Sequence, residues 1–136
     1  MHAIQQIYFL TEKRLTDRLI KERGITFSQL LILTKLHTKA TNSQHAIAAD
    51  LELAEATVSR YVNALERAKY ITRKADPTNQ RKYIIAITPK GLKVFTSART
   101  IIEREITEMF GVVPQKHRQD MATMLKRVHE KLTHGA

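Results

Sequence analysis

A chain of 136 residues suits one domain with helical extensions, and a hydrophobic share of 43% supplies a buried core, which excludes wholesale disorder. Without cysteine there is no disulfide framework and no thiol redox switch. The net charge of +10 favours an anionic partner, whether nucleic acid, an acidic membrane surface or an acidic protein. No apolar run reaches the length of a membrane span, and MHAIQQIYFLTEKR has neither a basic leader nor a small-residue cleavage site. A soluble cytoplasmic protein is therefore expected.

Residues 1–23 read as a helix, with Ile4, Ile7, Tyr8, Leu15 and Leu19 near helical spacing. Gly24 suits the left-handed position just past its end. Thr26 and Gln29 spell a capping box that opens a second helix, running to about Thr38. Phe27, Leu30, Leu31, Leu33 and Leu36 make that helix apolar on more than one face, so it is expected to be central. Thr41 and Gln44 repeat the capping signal, and a third helix is expected over about 43–51, with Ile47, Ala48 and Leu51 inward and Leu53 buried in the turn. A fourth runs over about 55–68, where Val58, Val62 and Leu65 form one buried stripe.

Two strands follow, over 71–74 and 83–88, the second rich in β-branched residues. Asp76, Pro77, Thr78 and Asn79 make a turn between them, because proline presets φ and the Asp and Asn side chains bond locally to the backbone. This ribbon carries Arg73, Lys74, Arg81 and Lys82 against Asp76 alone. Thr88 caps a fifth helix with Pro89 in its first position, and Leu92, Phe95, Ala98, Ile102, Ile106 and Met109 form its inner stripe. Gly111 ends it, and Pro114 opens a last helix with Met121, Leu125, Val128 and Leu132 on one face. The fold class expected is mainly α with a small β-hairpin wing, in the order ααααββαα.

Two short helices, a tight turn and a basic hairpin make a winged helix-turn-helix pattern. Such a unit presents the N-terminal half of its second helix, here the fourth, to base edges in the major groove. Ala56 and Ser59 are short enough for close approach, and Thr57 and Ser59 bond phosphate or a base. Arg60 reaches guanine O6 and N7 in bidentate fashion, a contact worth about 1–3 kcal/mol of discrimination. Asn63 shares that face. Arg81 at the wing tip suits a narrow minor groove, and Arg73, Lys74 and Lys82 add cationic charge for phosphate. Ser43 caps the third helix first and touches phosphate second.

These residues resemble the multiple-antibiotic-resistance regulator (MarR) family of bacterial transcription factors. The likeness is carried by Ala48, Leu51, Thr57-Val58-Ser59-Arg60, Val62, Leu65-Glu66 and Ile71-Thr72-Arg73, then by Asp76-Pro77, Arg81, Ile87-Thr88 and Gly91. It covers nearly the whole chain. The resemblance implies a homodimer, with 1–25 and 89–136 as a helical dimerisation region and 26–88 as the DNA-binding domain. It further implies repression at a palindromic operator and, in many members, release by a small-molecule effector in a crevice. His37, on the central helix, is the candidate to face that crevice; a phenolic or other small anion would suit it. The chain departs from the family pattern at Glu52 and Lys69, where glycine is usual, at Ala54, where a helix cap is common, and at Asn79, which replaces an aspartate that pairs with the wing arginine.

Other readings weigh less. A winged helix can also serve as a non-sequence-specific architectural DNA-binding protein, or as a protein–protein adaptor whose basic wing engages an acidic partner. The six histidines are scattered, with His129 and His134 five apart and no cysteine or carboxylate cluster beside them, so no metal is expected. No Gly-rich phosphate loop, nucleophile elbow or paired carboxylates point to an enzyme, and no cofactor is implied.

Overall fold

The computed structural model describes residues 2–38 and 42–135. Thr41, expected to take part in capping the third helix, lies outside them. The elements are α1 (His2–Arg23), α2 (Phe27–His37), α3 (Gln44–Leu51), α4 (Glu55–Arg67), β1 (Ile71–Asp76), β2 (Asn79–Ile87), α5 (Pro89–Phe110) and α6 (Gln115–His134). This is the expected order. The chain divides into two compact units, residues 1–102 and 103–136, with the boundary inside α5.

In the first unit the core is built where the hydrophobic periods place it. Gly24 sits at φ +68, ending α1 in the left-handed region that a Cβ disfavours. Thr26 then caps α2 reciprocally: its hydroxyl accepts from Gln29 N, and its own N–H donates to Gln29 Oε1 at 2.8 Å. Leu30, Ile32, Leu33 and Leu36 are all buried, which makes α2 central as expected, with Ile32 a core residue that the sequence stripe omits. Around α2 lie Leu19 of α1, Ile47 of α3, Val58 and Val62 of α4, Ile71 and Ile85 of the hairpin, and Phe95 and Ala98 of α5. The wing is thus rooted in the core at both strands.

Two expected stripes come out differently. In α1, burial is confined to Leu15 and Leu19, while Ile4, Ile7 and Tyr8 are 62–73% exposed. Along α5 the buried apolar residues are Phe95, Ala98 and Ile101, with Glu105 buried one turn further on; Ile102 is half-buried, and Leu92 and Ile106 are exposed. Helical spacing finds an apolar face without saying what covers it. In the second unit, α6 holds no buried residue among those described, and Leu125, Val128 and Leu132 are all more than half exposed.

The start of α5 is sewn to the end of α4. Thr88 Oγ1 donates to the Lys69 carbonyl at 2.7 Å and accepts from Gly91 N at 3.0 Å, while its own N–H donates to the Tyr70 carbonyl. Lys90 Nζ adds a bond to the Ala68 carbonyl. This closeness demands glycine at 91, because a Cβ there would lie 2.0 Å from the Tyr70 carbonyl oxygen. Gly91→Ala is expected to lower unfolding stability by about 3 kcal/mol. Conversely, Glu52 and Lys69 occupy positive φ at 53° and 61°, so Glu52→Gly is expected to raise stability by about 0.5–1 kcal/mol, the left-handed cost less glycine's added entropy. Urea denaturation of the variants measures both.

Candidate nucleic-acid interface

The α3–α4 pair is a helix-turn-helix made without the usual turn chemistry. Ser43 begins α3, its hydroxyl accepting from Ala46 N at 3.2 Å. Glu52 then turns the chain in the left-handed region (φ 53, ψ 38), and Leu53 N donates back to the Ala48 carbonyl at 3.0 Å. Leu53 is half-buried against the core and anchors the turn. Ala54, extended at φ −62 and ψ 140, caps α4 with no side-chain bond. Glu55 in the first turn places a negative charge at the positive end of the helix dipole and offsets part of that loss.

Burial of Val58, Val62 and Leu65 fixes the rotation of α4. Ala56, Arg60 and Asn63 consequently face outward, with Thr57 and Ser59 half-buried on the flanks. Arg60 has no hydrogen bond or ion pair with any described residue.

The wing is longer than the sequence reading: β1 continues to Asp76 and β2 begins at Asn79. Its antiparallel register pairs Ile71 with Ile87 and Ala75 with Tyr83, then jumps to Asp76 with Asn79. Residues 80–82 therefore lie opposite no partner, and this bulge carries Arg81 and Lys82 at the tip. Asp76 Oδ1 accepts from Thr78 Oγ1 at 2.7 Å and from Thr78 N at 2.8 Å, closing the turn. Those two bonds hold the Asp76 carboxyl below the usual carboxylate range, with Lys82 assisting. Their support is present above the ordinary carboxylate pKa and is lost as pH falls through the lowered one. Asn79 Oδ1 accepts from the backbone N–H of Arg81 at 3.1 Å, so it shapes the tip while the guanidinium stays without a described partner.

Helix and wing are joined by Arg73. Its guanidinium donates to Glu66 Oε2 through Nε (3.0 Å) and one terminal nitrogen (2.6 Å), and that nitrogen also reaches Asn63 Oδ1 at 2.6 Å. Tyr83 of β2 lies beneath the same group at 5.8 Å. A backbone bond from Ile85 N to the Asn42 carbonyl (2.8 Å) ties β2 to the segment before α3.

These ties leave a concavity of about 340 Å³ between the first turns of α3 and α4 and the wing. Of the ten residues expected at a DNA surface, it brings together Ser43, Ser59, Arg73, Arg81 and Lys82. Ala56, Thr57, Arg60, Asn63 and Lys74 lie outside it, on the outer face of α4, its flank and β1. Its remaining walls include a pair that the sequence reading missed: His45 Nδ1 lies 2.5 Å from Glu55 Oε1, both exposed. The signal was there to find, since each residue stands in the first turn of one of two helices known to cross. His37 ends α2 with its ring 4.6 Å from that of Phe95 and is otherwise exposed.

Residues 25–83 match the model of the MarR family. That segment is similar to the MarR-family domain. Among curated relatives, the HTH-type transcriptional regulator MhqR of Bacillus subtilis is 28% identical over 109 residues, covering 80% of this chain and 75% of that one. The transcriptional regulator BldR of Sulfolobus solfataricus superposes with a TM-score of 0.81 at 23% identity, covering 96% and 92% of the two chains. A structure described as MarR gives a TM-score of 0.86 at 22% identity, covering 97% and 96%. The structural likenesses establish the winged helix-turn-helix fold, and the match over residues 25–83 together with the curated relatives supports a DNA-binding transcription regulator. No helix among the described residues is long and apolar enough to cross a membrane.

Arg73 is expected to act as a brace between the wing and α4. Arg73→Ala should cost about 1 kcal/mol, as for a partly exposed ion pair in which two N–H groups share one carboxylate oxygen. Amide exchange should accelerate across β1 and β2 before it does in α2, and hydrogen-exchange mass spectrometry resolves the two.

Proposed function

We propose that this protein is a homodimeric, sequence-specific transcriptional repressor that binds a palindromic operator and occludes a promoter. The observation that carries this reading is the pairing of two surfaces held in fixed relation. One is the outward face of α4, with Ala56 and Arg60. The other is the wing bulge with Arg81 and Lys82. Both arginines lack a described side-chain partner, whereas Arg73 is committed to Glu66. Short residues on α4 permit close approach, and Arg60 addresses guanine in the major groove. Arg81 enters the adjacent minor groove, while Lys74, Lys82 and Ser43 meet phosphate. Asn63 works partly through Arg73, which fixes its amide.

One helix reads too few bases to define a site, so the reading needs a second copy. Two faces support it: Ile4, Ile7, Tyr8, Phe9 and Leu10 on α1, and Leu125, Val128 and Leu132 on α6, all more than half exposed. Apolar surface of that extent on terminal helices fits an interface between subunits. Two α4 helices would then meet half-sites about 34–36 Å apart.

Selection of bound fragments from random genomic DNA, followed by anisotropy titration, tests the reading. Arg60→Ala should lose on the order of tenfold or more of the discrimination between operator and scrambled duplex. Arg81→Ala should weaken both and reduce the salt slope by about one. Unchanged footprints for both variants would overturn the site assignment, and equal affinity for operator and random duplex across salt would favour an architectural protein. Leu125→Glu should yield monomers in sedimentation velocity and lower operator affinity at least a hundredfold, the loss of two-site binding.

A further inference from the structure

The concavity between α3, α4 and the wing has cationic and hydroxyl walls, and Glu55 is the one acidic side chain among the described residues lining it. It stands at the first position of α4, the end of a recognition helix that meets base edges. A carboxylate there repels every phosphate it approaches. The helix dipole benefits from Glu55 wherever its carboxylate points in the first turn, yet this carboxylate is drawn toward α3 by His45 Nδ1, 2.5 Å away. Ser59, one turn further along α4, lines the same space.

A carboxylate at the floor of a groove can only accept hydrogen bonds, so its natural base partner is an exocyclic amine. Cytosine N4 is a donor with no acceptor beside it on the same base. Adenine N6 has N7 as its neighbour, whose lone pair repels an oxygen anion; guanine and thymine present acceptors at the corresponding place. We propose that Glu55 is a specificity-determining residue that selects cytosine at one position of each half-site, and that His45 is a positioning residue that orients its carboxylate. The proposal rests on α4 being the recognition helix, as argued above. Glu55 then exchanges general affinity for discrimination, the reverse of what Lys82 does on the opposite wall.

The test is a selection from half-site libraries randomised at each base pair, run with full-length wild type, Glu55→Gln, Glu55→Ala and His45→Ala. Wild type should prefer cytosine at one position by on the order of tenfold. Glutamine adds a donor to the acceptor and matches adenine N6 and N7, so Glu55→Gln should move the preference at that position to adenine. Glu55→Ala should flatten that position alone while binding random duplex more tightly. His45→Ala should weaken the preference without changing the base. A purely capping role for Glu55 would lower thermal stability in Glu55→Ala and leave every base profile as in wild type, and that result overturns the proposal while leaving the operator reading intact. Wild type that selects no sequence at all overturns the operator reading itself, and this inference with it.

Discussion

The bracket that Arg73 makes with Glu66 and Asn63 is the constraint on which the basic surface of α4 and the wing depends. A two-stranded hairpin is marginal alone in water. This one has two roots in the core, Ile71 and Ile85, but those fix only its base. A guanidinium has a rigid planar fork, so bonding through Nε and a terminal nitrogen fixes direction as well as distance. The bracket therefore sets the angle between β1 and α4. Because Arg81 and Lys82 lie in the bulge beyond it, that angle also sets the span between the wing tip and Arg60. The same bonds neutralise Glu66, which would otherwise weaken the positive potential on that side of α4.

Charge on this surface is consequently sorted rather than accumulated. Arg73 is turned inward on a carboxylate and over Tyr83, while Arg60, Lys74, Arg81 and Lys82 remain outward and exposed. Asn63 Oδ1 accepts from Arg73, which leaves the amide nitrogen as the group directed away from the bracket. A net charge of +10 describes attraction to any polyanion. Fixed positions of a few cations, with the others committed, are what convert attraction into register.

Much of this was legible in the chain, for identifiable reasons. Local rules were sufficient where the cause is local: the Thr26–Gln29 box, Gly24 past α1, Thr88 before α5, and the period of Val58, Val62 and Leu65 all appear where the sequence places them. Resemblance marked Glu52 and Lys69, and both do take the left-handed geometry that glycine usually supplies. What escaped depends on partners distant in sequence. The strands reach Asp76 and Asn79 because those two residues pair across the turn, beyond the bulge, which β propensity does not announce. Arg73 and Asn63 read as DNA-facing groups, since nothing in either segment announces that they meet. Likewise Ile4 and Ile7 count as apolar periodicity but cannot disclose that this subunit leaves them uncovered.

The weak points of the unit fall together, and their placement has a mechanical consequence. Glu52 in the left-handed region and Ala54 as a cap without a side-chain bond both lie in the three-residue connection between α3 and α4. Each costs on the order of 1 kcal/mol, a real fraction of the 5–15 kcal/mol that holds an ordinary domain. Across this connection reach the buried stripe of α4 on one side and the His45–Glu55 pair on the other. The helix is therefore fixed in depth and rotation by packing, and the turn, held by Leu53 and its bond to the Ala48 carbonyl, adds little stability of its own.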